Sequence, residues 1–234
     1  METGQALDHE SRSRVRAEKS ARDRLIALAR THPAWALGFE DEVRWSRLAH
    51  PVLHAWAEPD RPLRLVARTV AKDDPDPKAL ACYGLLLRWW DGGPAGPRHE
   101  ETWLRFVDGR PVSAVTTRFL AWCGARLAAA GKTALLLVWD NAAWHLSREV
   151  RRWIAAHNRH VRATGRGVRI VPCPLPIKSP WLNPIEAKWV HAKRKVVEPD
   201  RVLAARELAE RVRAVFACSY EPHLTVHDEL DIAA

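Results

Sequence analysis

The sequence predicts a mixed α/β fold, a β-sheet flanked by helices. Strand-sized apolar runs fall at 34–45, 63–70, 81–90, 102–107 and 133–139. From residue 113 onward, helical spacing alternates with short strands. Strands first, then helix and strand in turn, suit a mixed sheet with helices against it. The chain has 234 residues, 47% of them hydrophobic, which fits one large domain or one domain with an appendage and excludes global disorder.

Taken in order, residues 8–30 are dense in Arg, Lys and Glu, with Leu25, Ile26 and Leu28 near the end, and read as an exposed basic helix. His32-Pro33 stops it, because the residue before proline avoids the helical region. In 34–45, Trp35, Leu37 and Phe39 share one strand face, Glu40 and Glu42 take the other, and Asp41 falls on the apolar side. A carboxylate there is costly unless paired or metal-bound. A strand at 63–70 is followed by an Asp- and Pro-rich turn. The strands 81–90 and 102–107 read as an antiparallel pair joined by a Gly- and Pro-rich connection. A helix over 113–130 ends at Gly131. The uninterrupted apolar run 133–139 is expected to be buried on both faces, and it ends in Asp140-Asn141. Helix 146–161 and strand 168–171 follow. Residues 172–184 hold five prolines and are expected to be irregular. Helices are expected at 184–197 and 201–218, and a loose tail after them.

Lys and Arg number 37 against 28 Asp and Glu, a net charge of +9 with pI near 9.9. Counterion release makes nucleic acid the first partner to consider, a basic protein without such a partner being the alternative. Four cysteines stand far apart without a Cys-x-x-Cys pair, so a cysteine zinc site is not expected and a reduced compartment is. No apolar run approaches the ~18 residues of a membrane span, and residues 1–30 lack the apolar core of a signal peptide. Cytoplasmic, nucleoid-associated localisation without membrane contact is expected.

Three acids stand out by context. Asp41 lies within the first strand, Asp140 ends the buried strand, and Glu186 opens a helix. Carboxylates converging from separate elements of a basic protein suit a hard cation such as Mg²⁺, bound through one or two of them and substrate phosphate oxygens. Two such ions serve in-line phosphoryl transfer. Each acid also has a plainer role. Asp140 or Asn141 could cap the next helix. Asn183, Pro184 and Glu186 have the spacing of a capping box. Asp41 could pair with Arg44 or Arg47.

The segment Leu136-Leu137-Val138-Trp139-Asp140-Asn141-Ala142-Ala143-Trp144-His145 resembles the second-aspartate segment of DDE transposases related to mariner elements. Ser179-Pro180-Trp181-Leu182-Asn183-Pro184-Ile185-Glu186 resembles their third-acid segment, most closely that of bacterial insertion-sequence transposases of the six-thirty group. Phe39-Glu40-Asp41-Glu42 falls where their first aspartate is expected, with Asp41 preferred over Glu42. The resemblance implies an RNase H-like fold in which Asp41, Asp140 and Glu186 are catalytic and hold Mg²⁺ or Mn²⁺. It implies a DNA transposase catalytic domain, a DDE recombinase and endonuclease of DNA recombination. Its chemistry would be metal-dependent phosphodiester hydrolysis and strand transfer by a two-metal mechanism. Partners would be DNA and further copies of the chain, a homo-oligomer on DNA. Asn141 and His145 would position groups at the site; Lys178, Lys188, Lys193, Arg194 and Lys195 would contact DNA.

The expected organisation is a basic helical lead-in at 1–33, the DDE catalytic domain at 34–218 and a C-terminal tail at 219–234. About 35 residues before the first strand leave no room for the family's usual helix-turn-helix region. A non-catalytic DNA-binding or regulatory remnant of a transposase is therefore the alternative reading. The 45 residues between Asp140 and Glu186 exceed the family's usual spacing, with the extra length expected as a surface insertion around 158–167.

Overall fold

The computed structural model describes residues 2–48, 69–177, 179–197 and 201–226, with side chains from residue 15 onward. Along the chain come α1 (Glu2–Thr31), β1 (Trp35–Ser46), β2 (Ala79–Trp90), β3 (Arg98–Val107), α2 (Ser113–Ala129) and β4 (Ala134–Trp139). Then follow α3 (Arg148–Thr164), β5 (Arg169–Pro174), a 3-10 turn (Pro180–Leu182), α4 (Ile185–Val196) and α5 (Ala205–Phe216). The strands form one mixed sheet in the order β3-β2-β1-β4-β5. The three early strands pair antiparallel, while β1–β4 and β4–β5 pair parallel. Most of the strand expected at 63–70 lies outside the described residues, and 69–70 carry no regular structure.

Central β1 is covered on both faces. On one, Leu37, Phe39, Val43 and Trp45 pack with Trp189 of α4, Leu208 and Val212 of α5 and Ala29 of α1. On the other, Leu85, Leu87, Leu135 and Leu137 pack with Phe119 of α2 and Ile154 of α3. The end of α1 is thus part of the core: Ala29 is buried, and Leu25 and Ile26 pack against the sheet. Both faces of β4 are buried, as its unbroken apolar run predicts.

Three expectations change. The proline-rich stretch begins as strand, since β5 runs through Pro172 and Pro174. Arg169 N donates to Thr133 O and Leu175 N to Trp139 O, so odd-numbered amides face β4. The even-numbered positions point outward from this edge strand, and proline there removes no ladder bond. Secondly, 158–164 is the last part of α3 rather than a surface insertion, and Gly165 closes it in the left-handed conformation at φ 68°. The Asn158 side chain grips β5, accepting from Ile170 N at 2.8 Å and donating to Ile170 O at 2.7 Å. Beyond α5, Leu224 is buried and its amide donates to Phe106 O, so this part of the expected loose tail lies along β3.

Candidate active site

The parallel register of β1 on β4 pairs Phe39 with Val138. Two residues beyond each comes an acid, Asp41 on β1 and Asp140 just past the end of β4. Period-two alternation therefore projects both carboxylates from the same end and face of the sheet, where open α/β sheets gather ligands. Asp140 Oδ1 accepts from Ala142 N at 2.8 Å in a local turn. It does not cap α3; Ser147 does, accepting from Val150 N at 3.1 Å. The Asn141 amide donates to Leu175 O and ties this turn to the loop after β5.

Glu186 arrives on the first turn of α4. A contact across the sheet seats this helix. Gly84 is the cross-strand partner of Asp41, and a Cβ at Gly84 would fall 2.3 Å from the Trp189 ring. The missing side chain lets the indole lie against β2 and donate its Nε1–H to Asp41 Oδ2 at 2.8 Å. Asp41 is thus held by Trp189, while Arg47 pairs with Asp74 at 2.9 Å instead. The capping box does not form either. No side chain caps α4, and the Asn183 amide donates instead to Glu40 O at 2.8 Å, fixing the loop to β1.

Asp41, Asp140 and Glu186 line one cavity of about 380 Å³ together with Asn141, Ile177, Ser179 and Asn183. Burial and the Glu186 charge push the Asp41 carboxyl up to about 7, against the pull of the Trp189 hydrogen bond. Glu186 is raised by burial and the Asp140 charge, with Lys193 opposing. Burial also disfavours the Asp140 anion, but hydrogen bonds from His145 and Ala142 outweigh it and hold its pKa below the usual range. Carboxylates that raise one another's pKa in a cavity of oxygen donors fit a hard divalent cation, which would relieve the repulsion.

The remaining predicted residues are dispersed. Lys178 lies outside the described residues. Lys188 donates to Glu100 Oε1 at 2.8 Å. Lys193, Arg194 and Lys195 are exposed on the last turn of α4. His145 is buried behind the cavity instead of lining it.

Sequence reasoning missed what surrounds this histidine. Its Nδ1 lies 2.9 Å from Asp140 Oδ1, and its Nε2 lies 3.0 Å from Glu42 Oε1 and 3.1 Å from Glu40 Oε2. The ring stacks on Trp139 at 4.6 Å between centroids, and Trp144 Nε1 donates to Glu42 Oε1 at 2.7 Å. Glu40 is 1% exposed; burial and the Glu42 charge push its pKa up to about 8, with His145 opposing. Carboxylates on both sides raise the His145 pKa despite its burial. One ligand atom from each of Glu40, Glu42 and His145 lies within 4.8 Å of the others.

Residues 101–209 match the family model described as DDE superfamily endonuclease. No curated protein matches the sequence. Among solved structures, the chain is similar to the Mos1 transposase paired-end complex with left transposon end, at 14% identity and TM-score 0.53, covering 91% of this chain and 56% of that one. The Mos1 mariner paired end complexes with Mn and with Mg each give 16% identity over 89% of this chain and 55% of theirs, with TM-scores of 0.51 and 0.52. At such identity the likeness is one of fold, and the chain spans little more than half the length of these relatives. Residues 101–209 are thus similar to the DDE superfamily endonucleases, and the chain has the RNase H-like fold of these structural neighbours.

Proposed function

We propose that the chain is the catalytic part of a DNA transposase, a DDE endonuclease whose acids are Asp41, Asp140 and Glu186. One observation carries the reading: three acids from β1, the end of β4 and the start of α4 line a single cavity in a protein of net charge +9. The catalytic unit is assigned to 34–218, with 1–33 leading in and 219–234 as the tail. The intact acidic cavity favours this reading over a non-catalytic remnant.

Asp41 and Asp140 would hold Mg²⁺ or Mn²⁺, and Glu186 would complete one coordination sphere. When bound, such ions activate the attacking oxygen and stabilise the leaving one in an in-line displacement at phosphorus. The chain's own residues prepare that geometry. Trp189 fixes one oxygen of Asp41, and the Ala142 amide and His145 fix one oxygen of Asp140. Asn183 and the Asn141–Leu175 bond hold the two loops that wall the cavity. In hydrolysis, water attacks the phosphodiester, the bond to the 3′ oxygen breaks and a 3′-hydroxyl is freed. In strand transfer that hydroxyl attacks a second phosphodiester and joins to its phosphorus, while the bond to the 3′ oxygen there breaks and frees a new 3′-hydroxyl. Lys178, Lys193, Arg194 and Lys195 would meet DNA phosphates. Assembly of several copies on DNA belongs to the same proposal.

The test is Mg²⁺- or Mn²⁺-dependent nicking of transposon-end DNA by wild type and by Asp41→Ala, Asp140→Ala and Glu186→Ala, with folding checked by circular dichroism. Cleavage by wild type and none by the folded variants is expected. Cleavage that persists in all three would overturn the assignment.

A further inference from the structure

From the buried cluster behind β1, we infer that Glu40, Glu42 and His145 form a positioning brace, with His145 as its strut, that aims the Asp140 carboxylate into the acidic cavity. The inference deepens the proposed function and rests on it. Nothing in that proposal needs Glu40 or Glu42.

The geometry is specific. Asp140 lies beyond the last hydrogen-bonded residue of β4, so the ladder no longer fixes it. Two contacts hold its Oδ1: the Ala142 amide and His145 Nδ1. The imidazole is fixed in turn. Trp139 stacks flat on it with 8° between the ring planes, and Trp144 stands edge-on at 6.0 Å. Its far nitrogen faces Glu40 and Glu42 of β1. An ionised carboxylate only accepts hydrogen bonds, so carboxylates at both ends favour a ring carrying a proton on each nitrogen. The strand then has two jobs at successive residues. Asp41 faces the cavity on one side, while Glu40 and Glu42 steady its partner Asp140 from the other.

The alternative chemistry, a second metal held by Glu40, Glu42 and His145, is less favoured. His145 Nε2 is already engaged, hydrogen-bonded to Glu42 Oε1 at 3.0 Å with Glu40 Oε2 at 3.1 Å in an ion-pair contact, and a ring nitrogen that carries a proton cannot ligate a metal. Partners that orient a ligand are typically worth ~10–100-fold in metal affinity or activity.

The experiment uses the full chain and two readouts. The first is NMR of metal-free protein labelled with ¹⁵N-histidine. Both His145 ring N–H protons should be seen. Glu42→Gln should move the Nδ1–H resonance as well as the Nε2–H, because the strut passes the change to the Asp140 end. The second is Mn²⁺ affinity by water proton relaxation with DNA present, where Glu42→Gln should weaken binding about tenfold and Glu42→Ala more. A single His145 ring proton, or an Nδ1–H untouched by Glu42→Gln, would overturn the brace whether or not metal binds. So would wild-type Mn²⁺ affinity in a folded Glu42→Gln protein. Should wild type itself bind no Mn²⁺ while the NMR coupling is present, the brace stands and the metal-site reading falls. Because the first signature is read on wild type, a variant that fails to fold does not spare the inference.

Discussion

The two faces of β1 at residues 40–42 solve the same problem in opposite ways. On both, carboxylates leave water close to like charges, which raises their pKa. On both, an indole N–H steadies one of them: Trp189 donates to Asp41, and Trp144 donates to Glu42. The difference lies in the counter-charge. Behind the strand the chain supplies His145, whose pKa the surrounding carboxylates raise, in contact with both glutamates and Asp140. In front, Asp41, Asp140 and Glu186 border open space of about 380 Å³, and Lys193 is the cation that offsets Glu186. A cluster that carries its own partner is structure; one that leaves room for a cation is a site.

The largest expected effects break the front face. Asp41→Ala and Glu186→Ala should abolish metal-dependent cleavage, whereas Glu40→Gln, behind the strand, should cost only ~10–100-fold; steady-state nicking assays separate the two classes. Next comes the seat of α4. Gly84→Ala places a methyl group in the Trp189 ring, so the helix carrying Glu186 must shift. A loss of about 1–3 kcal/mol in denaturant melts is expected, together with a fall in cleavage. If the variant melts and cleaves like wild type, Trp189 does not set the position of α4.

A pH experiment sharpens the comparison with less drastic change. The folded Asp41 pKa stands near 7 against an ordinary 3.8. Between those values the folded protein keeps a proton that the unfolded chain has released. Its contribution to metal-free stability therefore falls as pH rises from about 4 to about 7, then levels off. Asp41→Asn should remove that slope and leave the chelator-treated protein more stable at pH 8 by on the order of a few kcal/mol. Melts at pH 5 and pH 8, with and without the substitution, read the difference directly. Smallest are the surface cations. Lys193→Ala and Lys195→Ala should each lower the salt slope of DNA binding by about 1. Lys188→Ala should do less, because its ammonium is engaged by Glu100.

Much of this was legible in the sequence, for reasons that differ by element. The apolar run of β4 and the alternation in β1 are signatures of burial, and both strands form close to their expected bounds. The prolines of β5 misled because their cost depends on which way each amide points, which only the pairing with β4 reveals. Asp41, Asp140 and Glu186 were found through their strings, and the structure brings all three to one cavity. Glu40 and Glu42 were read as the polar side of a strand, since alternation says which residues share a face but not whether that face meets water. His145 was noticed for nearness to Asp140; its link to Glu42, over a hundred residues earlier, is tertiary information.

The central claim is that the front cluster is a cation site, and it is tested most directly by calorimetric titration of Mn²⁺ into the protein–DNA complex, for wild type and Asp140→Ala. The account predicts saturable binding in wild type and its loss in the variant. Equal binding in both proteins, or none in either, would contradict it.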